Sequence, residues 1–218
     1  MENILLTGGT GNLGKTVVKT LTDGGYHVHL AVRKDVETEA ENISYYPAEL
    51  TDGSQAGTFV KQVIDAGKSI RAGVFLAGGF AAGNLAKASM HDIEAMIQVN
   101  FATAFNVAQK LVGYYKTVGG GKLIFVGAKA AMDFKGASNN LAYSLSKQLV
   151  YNFSTLINES EKASGITSHI LLPGTIDTET NRGFMPNADF SKWVKPEVMA
   201  GVIKDIVAGK ETRAVIEF

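Results

Sequence analysis

The sequence predicts an α/β fold, a doubly wound parallel sheet of about seven strands with helices on both faces. Two observations predict it. Short apolar runs alternate with helical patterns along the chain, and such alternation is typical of parallel strands joined by crossover helices. A glycine-rich turn also follows the first run, the place where doubly wound sheets bind a ligand. The strand-like runs are 4–6, 28–32, 43–46, 73–76, 123–126, 167–172 and 214–218. The helical patterns are 13–23, 54–66, 90–115, 141–159 and 196–208.

Length and composition fit a single globular domain spanning residues 1–218. Lys plus Arg and Asp plus Glu both number 21, so no overall charge recruits nucleic acid or an anionic membrane. The chain has no Cys, which excludes disulfides and thiol chemistry. We see neither a signal peptide nor an apolar run approaching the ~20 residues of a membrane span. We therefore expect a cytoplasmic protein whose partner is a small molecule.

The glycine-rich segment 7–16 satisfies two phosphate-binding patterns. The pattern G-x-x-x-x-G-K-T begins at Gly9 and predicts a nucleoside triphosphatase with Lys15 on the phosphates. Glycines spaced by three begin at Gly8 and open a helix directly after a strand. That arrangement instead predicts a dinucleotide-binding turn, with the pyrophosphate at the helix N-terminus.

The second and later strands favour the dinucleotide. The second run ends in Arg33 and Lys34, where a carboxylate would normally bind the ribose 2′-hydroxyl. Basic residues there suit a 2′-phosphate, so we predict NADP in preference to NAD. A P-loop enzyme normally needs an acidic residue at the end of a buried strand to hold its metal. The runs that end at 76 and 126 are followed by small residues without a carboxylate.

Asn100 falls in the middle of the apolar face of the helix predicted over 90–115. A buried amide costs on the order of 1–3 kcal/mol if it has no partner, so something must bond to it. Two interpretations remain open from the pattern alone: an amide satisfied by neighbouring backbone, or a functional amide.

Tyr143 and Lys147 are four residues apart on the helix predicted over 141–159, so they share a face. A nearby ammonium lowers the pKa of a phenol and makes it a usable acid. The apolar arc of this helix, between 145 and 157, is wider than one sheet contact requires, which predicts a homodimer or homotetramer. His27 and His29 share a strand face without a third ligand, so we predict no metal site.

Taken together, these features resemble the short-chain dehydrogenase/reductase family over nearly the full length of the chain. The matching segments are the glycine loop, 49–52, 77–79, 98–100, 143–147 and 173–178. The resemblance implies a Rossmann-type NAD(P)(H)-dependent oxidoreductase. It implies cofactor binding by Gly8, Thr10, Asn12, Leu13, Gly14, Arg33, Lys34, Leu50, Ala77, Gly78, Gly79, Tyr143, Lys147, Pro173, Gly174, Ile176 and Thr178.

The resemblance also implies catalytic roles. Tyr143 would donate a proton to the substrate, while Lys147 would bind the nicotinamide ribose and lower the pKa of Tyr143. Asn100 would hold a water of the proton relay, and that water would be the missing partner of its amide.

Two departures point to a subgroup. Most of the family places a Ser thirteen residues before the Tyr, and here that position is Ala130; the usual glycine two before Gly14 is Asn12. Both departures resemble the dihydropteridine reductase subgroup, which reduces a conjugated, imine-like acceptor. Such an acceptor has less need of a hydroxyl that stabilises an oxyanion. Among nearby polar residues, Ser138 is a candidate replacement for the missing Ser.

Three alternatives remain open. The chain could be a ketone or alcohol short-chain reductase in which another group replaces the Ser. It could be a redox sensor that binds NADP without catalysis, although such regulators usually lack the Tyr and Lys pair. The P-loop pattern keeps a nucleoside triphosphatase as the last alternative.

Overall fold

In the part of the chain that the structure describes, seven strands form one parallel sheet in the order β3-β2-β1-β4-β5-β6-β7. This computed structural model describes residues 1–34, 41–129 and 132–218. The strands are β1 Asn3–Thr7, β2 His27–Val32, β3 Ile43–Pro47, β4 Ile70–Phe75, β5 Gly121–Val126, β6 Ile166–Leu172 and β7 Val215–Glu217. Each overlaps a predicted run, with the largest difference at β4, which begins three residues before the predicted 73–76, and the sheet confirms the predicted fold class.

Helices cover both faces of the sheet. They are α1 Asn12–Asp23, α2 Gly53–Asp65, α3 Met90–Ile97, α4 Thr103–Val118, α5 Phe134–Ala137, α6 Leu141–Ser160, α7 Glu179–Phe184 and α8 Pro196–Ala208. A five-residue π-helical segment, Gln98–Ala102, joins α3 to α4. Within the described residues, no helix has the length and apolarity needed to cross a membrane.

The alternation of side chains along β1 divides the core into two layers. Ile4 and Leu6 pack with apolar residues of α1 and α8 on one face, whereas Leu5 packs with α2, α4 and α6 on the other. Every residue of β1 is buried, as expected of a central parallel strand covered on both sides.

The strand order reverses beside β1. From β1 the chain proceeds outward through β2 to β3, then returns to add β4 on the opposite side. In open α/β sheets, a crevice forms at such a reversal, outside the carboxyl ends of the strands. The crevice here therefore lies between the ends of β1 and β4, where the glycine loop and residues 77–79 follow.

The structure divides the helix predicted over 90–115. Ser89 begins α3 through a reciprocal capping box with Asp92, and the α-helical hydrogen bonding then gives way to the π-helical segment containing Asn100. A π-helical turn adds a residue to the turn and occurs frequently at functional sites. Apolar spacing alone did not reveal this change of helix type.

Candidate active site

The glycine loop packs tightly against the segment after β4. Gly8 has φ +72°, and a Cβ there would lie 2.4 Å from the backbone nitrogen of Ala77. A Cβ on Gly14 would lie 2.1 Å from the Gly8 carbonyl oxygen. Both positions therefore require glycine, and the structure brings these three sequence-predicted residues together.

The N-terminus of α1 opens onto this crevice. Gly11 precedes the helix in an extended conformation, and no side chain caps the first turn. The first backbone N–H groups of a helix have no partner within it, and together with the helix dipole they favour an anion. Thr10 and Asn12 are exposed and Leu13 is half-buried. The turn therefore presents the uncapped helix N-terminus on which the sequence-based prediction of a pyrophosphate site depends.

Two further predicted cofactor residues follow β2. Arg33 and Lys34 are exposed directly after Val32, the last residue of the strand.

Leu50, another predicted cofactor residue, is not exposed: its side chain is buried in the core, with only 7% of its surface accessible. Its carbonyl accepts a 2.9 Å hydrogen bond from Asn106 Nδ2. Any contact between Leu50 and a cofactor would therefore have to come largely from its backbone.

The buried Asn100 amide is bonded to the protein itself. Its Oδ1 accepts a 3.0 Å hydrogen bond from the Gly79 backbone nitrogen, and its Nδ2 donates to the Gly79 carbonyl at 3.1 Å. Nδ2 also donates to Ser146 Oγ at 3.0 Å. The resemblance implied a water as the missing partner of this amide. Gly79 and Ser146 fill that role instead, so Asn100 fixes the loop after β4 against α6.

Ser146 is a site residue that the sequence analysis missed. It is fully buried, and its hydroxyl donates a 2.7 Å hydrogen bond to the Tyr143 carbonyl while accepting from Asn100. The π-helical segment is thereby linked to the turn of α6 that carries Tyr143. The available signal was the position of Ser146, immediately before Lys147.

Lys147 is buried beside Tyr143. Its Nζ donates a 2.9 Å hydrogen bond to the Val126 carbonyl and lies 5.9 Å from the centre of the Tyr143 ring. A Cβ built on Gly78 would be 3.6 Å from this nitrogen. The Lys147 ammonium on α6 therefore lies next to the residues that end β5 and follow β4. The Tyr143 and Lys147 pair thus lies in the same crevice as the glycine loop.

The ionisation of the pair differs from the sequence-based expectation. Burial lowers the pKa of Lys147 to about 8 and raises the pKa of Tyr143 to about 12. We expected the ammonium to lower the pKa of the phenol, and that expectation is wrong for this arrangement. The desolvation of Tyr143 dominates, and its phenol retains its proton at neutral pH.

The loop after β6 completes the crevice. The Pro173 carbonyl accepts a 2.8 Å hydrogen bond from the Lys129 backbone nitrogen, which joins the loops after β5 and β6. Gly174 is exposed, Ile176 pairs with Val194 in an isolated bridge, and Thr178 caps α7 by accepting from the Asn181 nitrogen. These loop residues thus line up along the carboxyl edge of the sheet.

Ser138, the candidate replacement for the family Ser, bonds within its own segment. Ala130 lies outside the described residues. Ser138 is exposed and donates its hydroxyl hydrogen bond to the Lys135 carbonyl of its own short helix. Ser138 is therefore engaged locally, and nothing in its contacts supports the predicted substitution.

The two neighbouring histidines take part in a polar network within the sheet. His27 bonds to Ser44 Oγ at 2.9 Å, and His29 bonds to Tyr46 Oη and Asn3 Oδ1 at 3.0 and 3.1 Å. Across the described ranges, no group of three or more His, Asp or Glu side chains could hold a metal.

Comparison with known proteins identifies the family. The family model for the short chain dehydrogenases matches residues 2–189. The chain belongs to the short-chain dehydrogenase/reductase family, a class of oxidoreductases.

Among curated relatives, dihydropteridine reductase of Dictyostelium discoideum is 30% identical over 200 residues, covering 88% of this chain and 81% of that protein. The 3-oxoacyl-[acyl-carrier-protein] reductase MabA of Mycobacterium tuberculosis is 24% identical over 181 residues, covering 83% and 72% respectively.

Solved structures agree with the fold. ElxO with NADP bound superposes with a TM-score of 0.89 at 20% identity, covering 99% of this chain and 96% of that chain. Aldohexose dehydrogenase of Thermoplasma acidophilum superposes with a TM-score of 0.86 at 18% identity, covering 99% and 91%.

Proposed function

We propose that this protein is an NADP(H)-dependent reductase that acts on a conjugated, imine-like acceptor such as a dihydropterin, with Tyr143 as the proton donor. One observation carries the proposal. Tyr143 and Lys147 share a crevice with the glycine loop: a Cβ built on Gly8 would lie 2.4 Å from the Ala77 nitrogen, and a Cβ built on the next residue, Gly78, would lie 3.6 Å from Lys147 Nζ. A hydride donor bound along that loop would have the phenol within its reach.

The residues of the crevice fit a dinucleotide. The uncapped start of α1 suits a pyrophosphate, and exposed Arg33 and Lys34 suit a 2′-phosphate. The bound nicotinamide would supply the hydride. Lys147 would bind the nicotinamide ribose; its ammonium is held at the end of β5 by the hydrogen bond to the Val126 carbonyl.

Tyr143 would give its phenolic proton to the acceptor nitrogen or oxygen as that atom gains electron density. Burial raises the pKa of the phenol to about 12, so the proton is present at neutral pH, although this pKa lies above the near-neutral value that suits a general acid best. Asn100 and Ser146 act on Tyr143 indirectly, by fixing Gly79 and the Tyr143 carbonyl. They are positioning residues in this mechanism.

The substrate class rests on the relatives and on the sequence. The similarity to dihydropteridine reductase favours a pterin-like acceptor, and Ala130 in place of Ser agrees with an imine rather than a ketone. The similarity to 3-oxoacyl reductases keeps a ketone or alcohol substrate as the second candidate.

We further propose a homodimer or homotetramer. Leu145, Leu149 and Leu156 on α6 are 37%, 37% and 64% exposed, and an apolar stripe of this kind on a long helix suits a contact between subunits.

The test is oxidation of NADPH in the presence of quinonoid dihydropterin or a panel of ketones. We expect pterin turnover, and we expect Tyr143→Phe to lower kcat by at least about 100-fold while NADPH still binds with its wild-type Kd. Activity confined to ketones would establish the second candidate instead.

The NADPH assay, combined with a measurement of ATP and GTP binding, separates the remaining alternatives. A non-catalytic sensor would bind NADPH but turn over no acceptor in either variant. A nucleoside triphosphatase would bind ATP or GTP with magnesium and lose that binding in Lys15→Ala.

A further inference from the structure

Phe80 presents an exposed aromatic ring beside the proposed proton donor. It follows Gly79 directly, and its ring centroid lies 5.0 Å from that of Tyr143, with the planes inclined by 64°. The side chain is 64% exposed. The edge-to-face contact covers only part of the ring, so one face remains open to the crevice.

The segment that carries Phe80 is anchored at both ends. On one side, Asn100 bonds to both the backbone nitrogen and the carbonyl of Gly79. On the other side, Gly83 donates to the Asn139 carbonyl and accepts from the Leu141 nitrogen, both at 2.8 Å. Phe80 is thus exposed, yet its segment is held on both sides, on one of them by Asn100, which is also linked to Tyr143 through Ser146.

A fixed, exposed aromatic ring is suited to ligand contact rather than to folding. A core phenylalanine stabilises the fold through burial, whereas most of this ring remains in water. What distinguishes Phe80 from an ordinary exposed apolar residue is its contact with Tyr143 and the anchoring of its segment on both sides. Its open face offers a flat conjugated ring an offset-stacked or edge-to-face contact that an aliphatic chain cannot reproduce.

We propose that Phe80 is a specificity-determining residue: its open face receives the flat conjugated ring of the acceptor and holds it against Tyr143. The inference rests on the proposed function, which it deepens by naming the residue that selects flat ring acceptors over aliphatic carbonyl compounds.

The test compares two acceptors in two variants. Phe80→Leu removes the ring but keeps an apolar side chain, and Phe80→Tyr is the matched control that keeps the ring. We expect Phe80→Leu to lower kcat/KM for quinonoid dihydropterin by about tenfold, mainly through KM, and for a small aliphatic ketone by less than about twofold. Phe80→Tyr should stay near wild type with both acceptors.

A merely structural role would give another pattern. Loss of fold or of Tyr143 positioning would lower kcat/KM equally for both acceptors and change the Tm or the NADPH Kd. Equal losses for the two acceptors, or no loss in Phe80→Leu, would overturn the inference.

A binding measurement distinguishes this failure from failure of the proposed function. If the wild-type protein reduces neither acceptor, the proposed function fails; in that case, and also where only one acceptor is reduced, equilibrium binding of a fluorescent oxidised pterin decides the role of Phe80. Weaker binding to Phe80→Leu than to wild type and Phe80→Tyr supports the inference. Equal binding to all three, or no binding to any, overturns it.

Discussion

The side-chain amide of Asn12 donates a 2.8 Å hydrogen bond to the hydroxyl of Thr180, 168 residues further along the chain. The bond joins the glycine loop to α7. That helix is further fixed by the Thr178 cap and by a bidentate contact from Arg182 to Asp177. The departure from glycine at Asn12 thus has a structural consequence, because its amide ties the two sides of the proposed cofactor groove together.

We expect Thr180→Val to accelerate release of NADPH. Valine keeps the shape of threonine but cannot accept the Asn12 bond, and a neutral hydrogen bond contributes about 0.5–1.5 kcal/mol, or roughly two- to twelvefold in Kd. Stopped-flow measurement of the dissociation rate checks this. Asn12→Gly should have a similar effect, and the double variant should add little to either single one.

The matched control is Thr58→Val, at an exposed position of α2 where the hydroxyl bonds only to the Ser54 carbonyl of its own helix. Its NADPH dissociation rate should equal that of wild type. Additive effects of Thr180→Val and Asn12→Gly would show that the bond does not retain the cofactor.

Arg33→Asp should change the cofactor preference. The exposed guanidinium follows β2, and a hydrogen bond to a charged group contributes about 1.5–3 kcal/mol. We therefore expect the Kd for NADPH to rise by roughly 10- to 100-fold while the Kd for NADH changes little or falls. Titration calorimetry with both dinucleotides measures this, and Lys87→Asp, at an exposed position after β4, is the control for net charge. Equal losses for both dinucleotides would contradict the NADP assignment.

The sheet could be predicted because its strands are buried on both faces. Such strands appear in the sequence as short continuous apolar runs, and β1 is the clearest example, with all five residues buried. Gly8 was recognisable because it begins the run of glycines spaced by three after a strand, and the structure gives the reason for glycine there, since a Cβ would lie 2.4 Å from the Ala77 nitrogen. Spacing along one helix placed Tyr143 and Lys147 together.

The partners of these residues could not be predicted, because they depend on contacts between distant segments. Ser146 forms a hydrogen bond with Asn100, which is 46 residues earlier in the chain. The Phe80 ring contacts the Tyr143 ring, although the two residues are far apart in the sequence. The pKa of Tyr143 follows from its burial, which helical spacing does not reveal. The sequence pattern identified the charge beside the phenol but not the desolvation that outweighs it.

Lys147→Met should abolish reductase activity and yet stabilise the fold. Burial lowers the pKa of Lys147 from 10.5 to about 8, so the folded state bears a cost of about 3 kcal/mol for the buried charge below pH 8. Loss of the bond to the Val126 carbonyl offsets only about 1 kcal/mol of that gain. We expect a higher Tm at pH 7, measured by calorimetry.

The pH dependence gives a second criterion for Lys147. Between pH 8 and 10.5 the unfolded wild-type chain binds more protons at this residue than the folded chain, so its contribution makes stability rise with pH. Lys147→Met should lose that rise, whereas Lys87→Met, at an exposed site, should retain it. A lower Tm for Lys147→Met at pH 7 would contradict the assigned cost of burial.

His29 should make the protein less stable as the pH falls below about 6.5. The ring is 1% exposed and bonds to Tyr46 and Asn3; burial, and then the positive charges of His27 and Lys68, lower its pKa from 6.5 to about 4. Between these values the unfolded chain binds the extra proton, so the free energy of unfolding decreases as pH falls, by at most about 3 kcal/mol.

Urea unfolding of His29→Gln between pH 7 and 4 measures this contribution. Glutamine can still hydrogen-bond in the network but does not titrate, so the free energy of unfolding should decrease less steeply with falling pH than in wild type. His91→Gln, at an exposed position at the start of α3, is the control, and its profile should follow wild type. Parallel profiles for His29→Gln and wild type would exclude His29 as the group responsible, because a residue that takes up its proton only on unfolding must change the slope when it is removed.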